Sequence, residues 1–360
     1  MTTNGRLVVL VSAGAVAAVA LGGGLAYRQG PSSVGTEAAA PLSASVSTPT
    51  SAGSSKTTTL DVRQLPEGPA PRIPYLIGRQ VRGGGEPVTI PGDGAVVAFA
   101  RVKSSVLAYV SHSNTSELLT IAADGRFRST EGVNSLVATH DHTAAAYTIP
   151  RTDSVANTIG GGTVYAVDGT SVKQLEVTGD WALEVVAYTQ GKIFYRTGEA
   201  VSGPPWKLYE WTPGAVEARL VKTVPDVSAF TADAKIGAAL PASNKGPRCT
   251  NVTVLETGRR LWETCYDYLA DFTPDGAVVI GSPVISDVPC SKAYVALDAK
   301  TGALIHEWKV CVVHAVAEDD QHLLLSVLSY TDYATIRCTI RTGACERATP
   351  FSAEYNQLGR

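Results

Sequence analysis

From residue 95 onward, short apolar runs alternate with polar turns, and the alternation repeats at a fixed interval. Each unit holds two apolar runs joined by a tight turn, then a variable loop, then two more runs joined by a glycine turn. The third runs read ELLTIAADG, GTVYAVDG, WKLYEWTPG, TNVTVLETG, KAYVALDAKTG and ATIRCTIRTG. Their turn glycines are Gly125, Gly169, Gly214, Gly258, Gly302 and Gly343, spaced by 44, 45, 44, 44 and 41 residues. Runs of this length, bounded by Asp-Gly, Thr-Gly and Pro-Gly, predict strands joined by hairpins, because such residues supply the positive φ that tight turns need. Four strands per ~44 residues is the period of a β-propeller blade. A sheet that small cannot cover its own faces, so its neighbours must cover them, and a closed ring protects the first and last members. The pattern therefore predicts an all-β propeller with six full blades over 95–131, 133–178, 181–224, 226–264, 266–309 and 311–349. Residues 74–90 add a hairpin, and the tail 350–360 supplies an inner strand beside it, which gives a seventh blade closed by both chain ends. Six blades with the hairpin over a seam is the alternative.

The first ~70 residues follow a different pattern. Leu7 to Ala26 is an uncharged apolar stretch, preceded by Arg6 and followed by Arg28. As a helix it spans about 30 Å, the thickness of a bilayer core. It is longer than the apolar region of a secretory signal peptide, which favours an uncleaved signal-anchor; Ala18-Val19-Ala20 keeps cleavage and secretion as the alternative. Residues 28–71 are rich in Ser, Thr, Ala, Gly and Pro and have no lasting periodicity, the composition of a flexible tether. The expected organisation is a cytoplasmic head (1–6), a membrane-spanning signal-anchor (7–27), a linker (28–71) and a propeller domain (72–360) outside the cytoplasm.

Charge narrows the partners. The formal net charge is −3 and no broad basic field exists, so nucleic acid is not expected as a partner. Gly and Pro number 34 and 20, and Val, Thr and Tyr recur in short runs, a composition of strands and turns rather than helices.

Two blades carry a more specific pattern. Leu255-Glu256-Thr257-Gly258-Arg259-Arg260-Leu261-Trp262 resembles the Thr-Gly-x-x-x-Trp docking unit of bacterial extracytoplasmic propellers with PQQ-like or WD-like repeats. Ala296-Leu297-Asp298-Ala299-Lys300-Thr301-Gly302 is similar to the Ala-x-Asp-x-x-Thr-Gly part, with His306 at the expected tryptophan position and Trp308 two residues late. Phe272-Thr273-Pro274-Asp275-Gly276 resembles the inner-strand turn of secreted WD-like propellers. The resemblance implies a propeller fold with tryptophans packing between blades. The family includes quinone-dependent dehydrogenases and non-catalytic scaffolds; a docking tryptophan speaks for the fold, not for a quinone, and no cofactor is expected.

All six cysteines lie between Cys249 and Cys345. Cys249 and Cys265 sit symmetrically about Thr257, Cys290 and Cys311 about Lys300-Thr301, and Cys338 and Cys345 about the Arg341-Thr342-Gly343 turn. Opposed residues of neighbouring antiparallel strands come close enough for a disulfide, so these three pairs are expected across the third and fourth strands of blades four, five and six. Disulfides persist outside a reducing cytosol, which agrees with an extracytoplasmic domain. Short Cys-x-x-Cys spacing is absent and no metal is expected.

In such an array the loops joining strands two to three share a face with those joining strand four to the next blade. The two-to-three loops are long and irregular, and scaffold folds place function on such loops. They carry Arg151, Asp153, Trp206, Lys245, Arg248, Asp287, Tyr330, Asp332 and Tyr333, a mixture suited to protein or saccharide contacts. His140-Asp141-His142 falls at an inner-strand turn, Gly160-Gly161-Gly162 opens a strand without a following Lys-Ser/Thr, and Gly83-Gly84-Gly85 reads as a hairpin loop. No Gly-x-Ser-x-Gly elbow is present. Nothing in the sequence marks the chain as an enzyme. The expected role is a membrane-anchored binding or scaffold module, with a propeller enzyme (a quinone-dependent dehydrogenase or a hydrolase) and a sensor or regulatory subunit of a membrane complex as alternatives.

Overall fold

The computed structural model describes residues 56–153, 158–169, 171–200, 203–241, 249–283 and 290–359. Among these residues the strands form seven sheets, each with four antiparallel strands and one with a fifth added at its edge, arranged in chain order. Blade one runs from Ala95–Val102 to Phe127–Glu131, and blade two from Ser135–Ala138 to Ser171–Val177. Blade three runs from Ala182–Thr189 to Arg219–Leu220, and blade four from Asp226–Phe230 to Arg259–Thr264. Blade five runs from Asp267–Phe272 to Leu304–Lys309, and blade six from Val312–Ala317 to Cys345–Arg347. All six repeat glycines have positive φ, as the hairpin turns demand.

Blade seven is composite. Its inner strand is the C-terminal Asn356–Leu358, paired antiparallel with Tyr75–Ile77, which continues through Gln80–Arg82 to Val88–Thr89. The ring is thus closed by both chain ends, and six blades with a covered seam does not describe it.

The apolar interior is divided among the joints between blades. Seven buried clusters occur, each spanning two neighbouring blades: Leu76, Val81 and Ile90 meet Phe99 and Val106 at the joint of blades seven and one, and Tyr75 and Leu358 meet Val316 and Leu324 at the joint of six and seven. The same arrangement runs through the five joints between. Inner strands show a shared irregularity. In five blades one residue bulges out of the ladder at the same place: Val97, Val186, Ser228, Ala270 and Val313. A bulge bends and twists the strand locally, and here it recurs where strands converge on the axis.

Tryptophans tie the outer strands to the next blade. Trp262 Nε1 donates to Ala299 O at 2.9 Å, and its ring lies where a Cβ on Gly302 would be 2.8 Å away. In the following joint the task is shared. His306 packs against Gly343 and bonds Thr58, while Trp308 Nε1 donates to Gly343 O at 3.1 Å.

The three expected disulfides are present: Cys249–Cys265, Cys290–Cys311 and Cys338–Cys345. Cys338 and Cys345 are direct cross-strand partners. The second pair lies beyond the end of its ladder. Cys311 occupies the link between Leu304–Lys309 and Val312–Ala317, and Ser291 beside Cys290 bridges to Val312, so this bond fastens a loop of blade five to the start of blade six.

The expected head, span and most of the linker (residues 1–55) lie outside the described residues; among those described, no helix is long and apolar enough to cross a membrane. Residues 56–71, assigned above to the linker, belong instead to the folded array. Thr57–Thr59 adds a fifth, parallel strand to the edge of blade five, a position suited to β-branched residues. Val62 is buried, with Leu60 and Leu65 packed around the same cluster. The strap then crosses blade six, where Arg347 N donates to Pro66 O at 2.7 Å and Gly68 N donates to Arg347 O at 2.9 Å. Arg337 clamps it from below: Nη1 donates to Pro69 O and Nη2 to Ala70 O, while the same guanidinium binds Glu318 and Glu346. Hydrogen bonds from Arg337 to these two carboxylates outweigh its desolvation and hold it protonated.

Both Arg337 and Glu318 are buried, so removing one charge strands the other. Arg337→Met is expected to lower unfolding free energy in urea by about 3–5 kcal/mol, and adding Glu318→Gln should recover part of it.

Candidate long-loop face and central shaft

The antiparallel order puts the two-to-three loops and the four-to-one connections on one face. In blades two and three these loops are shorter than the sequence implies, because the strands continue into them. Thr152 pairs with Thr158, and Ala200 pairs with Gly203. Gly203 permits the approach: it has φ 103, and a Cβ there would lie 2.4 Å from the indole of Trp206.

The described candidates fall into three groups. Arg151 and Asp153 end the hairpin of blade two, where Arg151 is exposed and 3.9 Å from Glu176. Trp206 belongs to a denser cluster at the joint of blades three and four. Its ring covers the Arg196 guanidinium at 4.1 Å. Arg196 Nη1 donates to both Asp226 oxygens at 2.9 and 2.8 Å, and Nε and Nη2 donate to Glu184 at 2.9 and 2.6 Å. Burial alone would lower the pKa of Arg196; Asp226 and then Glu184 overcome it and raise it. Beside them, Thr197 and Lys207 engage Asp180.

Tyr330, Asp332 and Tyr333 form the third group, at the tip of blade six. Arg63 from the strap bonds Asp332 at 3.0 Å and lies over the Tyr330 ring at 5.3 Å, and Tyr333 meets Tyr355 edge-on at 5.5 Å. Blade six thus presents its candidates already braced by the N-terminal strap. Lys245, Arg248 and Asp287 lie outside the described residues.

Several residues of this face escaped the sequence reading because they sit on strand ends and four-to-one connections, not in long loops. Five aromatic side chains are exposed among the described residues: Phe127, Trp181, Tyr266, Tyr268 and Tyr330. All but Phe127 lie on the long-loop face, at the entries to blades three and five and at the tip of blade six. Tyr268 is exposed at the surface yet surrounded by protein near Arg196 and Asp226, and this burial raises its phenol pKa.

The shaft carries acidic and imidazole groups on its inner strands. Asp226 binds Arg196, and Asp271 Oδ2 accepts from Ala317 N of the next blade at 2.9 Å, so both carboxylates act as struts. His314 differs. With Val97, Leu136, Tyr355 and Gln357 it lines a cavity of about 300 Å³. Water reaches it, but protein encloses it, and desolvation pushes its pKa down to about 4. At the opposite mouth a cleft of about 110 Å³ is lined by His140, Tyr188, Phe230 and Phe272. Cys249, Glu263 and Cys265 come within reach of a common ion, but both sulfurs are committed to their disulfide.

No family model and no curated protein matches this chain. Solved structures do. A prolyl endopeptidase aligns with TM-score 0.55 and 13% identity over 78% of this chain and 46% of its own. Prolyl oligopeptidase B from Galerina marginata aligns with TM-score 0.51 and 10% identity over 74% of this chain and 43% of its own. An oligogalacturonate lyase in complex with manganese aligns with TM-score 0.50 and 14% identity over 71% and 79%. The chain spans less than half of either peptidase, and at these identities the likeness is one of propeller fold alone.

His314 supplies a pH test. Unfolded, its imidazole takes a proton near about 6.5; folded, only near about 4. The unfolded chain therefore binds more protons in that window, so this group's stabilising contribution falls as pH drops from about 6.5 to about 4 and changes no further below. A His314 imidazole resonance with its midpoint near 4, and a flatter stability profile in His314→Gln, are expected.

Proposed function

We propose that this propeller is a binding or scaffold module that presents its long-loop face to a protein or saccharide partner outside the cytoplasm, with the apolar N-terminal stretch as its membrane anchor. The observation that carries the proposal is the concentration of exposed Trp181, Tyr266, Tyr268 and Tyr330 on that face. Aromatic side chains bring large contact area at low entropic cost and dominate the energetics of recognition surfaces. Around Trp206 they adjoin a polar network in which Arg196, Glu184 and Asp226 are already mutually satisfied, so the indole rests on a rigid base. Such a base orders little on binding and keeps the entropic penalty small. Three disulfides support the extracytoplasmic placement.

Crosslinking in intact cells, followed by purification of the full chain, tests the reading. Trp181→Ala combined with Tyr266→Ala is expected to lower recovery of a reproducible partner at least about tenfold, as loss of a recognition anchor does. Phe127→Ala, on an outer strand away from the face, should leave recovery unchanged. Equal recovery from both variants would refute the assignment of the face.

A further inference from the structure

The Gly83-Gly84-Gly85 turn meets a buried arginine, Arg101, on the face opposite the long loops. Arg101 stands near the end of the inner strand Ala95–Val102 of blade one and is 3% exposed. Its Nη2 donates to Glu86 O at 2.8 Å and, more weakly, to Val81 O at 3.4 Å. Its Nε is buried without a partner, and no ion pair to a described carboxylate relieves its charge. The other buried arginine, Arg337, holds two carboxylates. An arginine cannot shed its proton, so burial without a counter-charge is costly.

Above the guanidinium lies the turn between the third and fourth strands of blade seven. Gly83, Gly84 and Gly85 have φ of 75, 68 and 152, and Gly84 and Gly85 are exposed. A Cβ on Gly85 would stand 2.8 Å from Arg101 Nη1, and one on Gly84 3.1 Å from its Cδ, so glycine is what lets the turn lie over the charge. The backbone N–H groups of Gly84, Gly85 and Glu86 meet no acceptor among the described residues. Free backbone N–H groups beside an arginine are donors of the kind that hold oxyanions. On the neighbouring turn of blade two, His142 O accepts from Lys103 N at 3.2 Å, and both of its ring nitrogens are buried and without a partner.

We propose that Arg101 Nη1 and the free amides of Gly84–Glu86 form a binding site for a small oxyanion, of which inorganic phosphate is the simplest member. The anion supplies the counter-charge that the fold withholds from Arg101. It also ties the turn of blade seven to blade one, across one joint of the composite blade. The site is independent of the long-loop face.

The test compares the full chain in phosphate and in chloride at matched pH and ionic strength. Exchange of the amides of Gly84–Glu86 should slow by the factor 1 + [phosphate]/Kd, about fivefold at four times Kd, and Tm should rise by about 1–3 °C. Arg101→Gln should lose both effects. Should that variant fail to fold, Gly84→Asp keeps the question open to measurement: Asp tolerates the left-handed backbone, and its carboxylate takes the anion's place. It is expected to raise Tm in chloride and to cancel the response to phosphate. Identical exchange in phosphate and chloride, or a phosphate response that survives Gly84→Asp, would overturn the proposal.

Discussion

Closure of the ring rests on a short antiparallel ladder in which Tyr75, Leu76 and Ile77 pair with Leu358, Gln357 and Asn356. No blade can bury both of its faces alone, so every interblade cluster depends on the presence of a neighbour on each side. Without the inner strand Asn356–Leu358, the cluster at the joint of blades six and seven loses Leu358, and Tyr75–Ile77 loses its partner strand. The sequence surrounds these few residues with further ties. Ser326 Oγ donates to Asn356 O at 2.6 Å, Gln357 Nε2 to Val96 O at 2.7 Å, and Gly359 N to Pro74 O at 2.9 Å. Together they fasten the last residues to blades six, one and seven.

The strap extends the same logic outward. By pairing at the edge of blade five, crossing blade six and entering blade seven, residues 56–77 span the joints just before the closure. Two of the three disulfides lie wholly in blades four and six, and the third fastens blade five to blade six, so covalent and strap reinforcement fall on one arc of the ring. The long-loop face gains rigidity from both. Arg63 of the strap braces Tyr330 and Asp332, and Arg196 joins blade three to blade four beneath Trp206. A face held by fixed polar struts can present aromatic side chains without their collapsing into the shaft.

Much of this architecture was legible because it is periodic. Glycine turns every 41 to 45 residues mark the third and fourth strands of six blades, and cysteines placed symmetrically about three of those turns announced their pairing. What is not periodic was hidden. The strap reads as linker because it follows directly on a Ser/Thr-rich stretch and carries three prolines; only the short run Thr57–Thr59, Leu60, Val62 and Leu65 has the apolar or β-branched character that pairs and buries. The hairpin of blade three reads as loop because its Gly and Pro residues mask strands that reach Ala200 and Gly203. Inner-strand Asp226, Asp271 and His314 escaped notice because they fall among Ala, Val and Phe, and their roles follow from partners in another blade. The site around Arg101 needed blades seven and one to be brought together before its lack of a carboxylate could be seen.

The central claim is that closure by Asn356–Leu358 holds the whole ring, not one blade. Hydrogen exchange along the chain, compared between the full protein and a chain ending at Tyr355, tests it most directly. The account predicts that protection falls in blade seven and also in the inner strands of blades one and six, with loss of a single cooperative unfolding transition. Loss confined to Tyr75–Arg82, with blades one and six as protected as before, would contradict it.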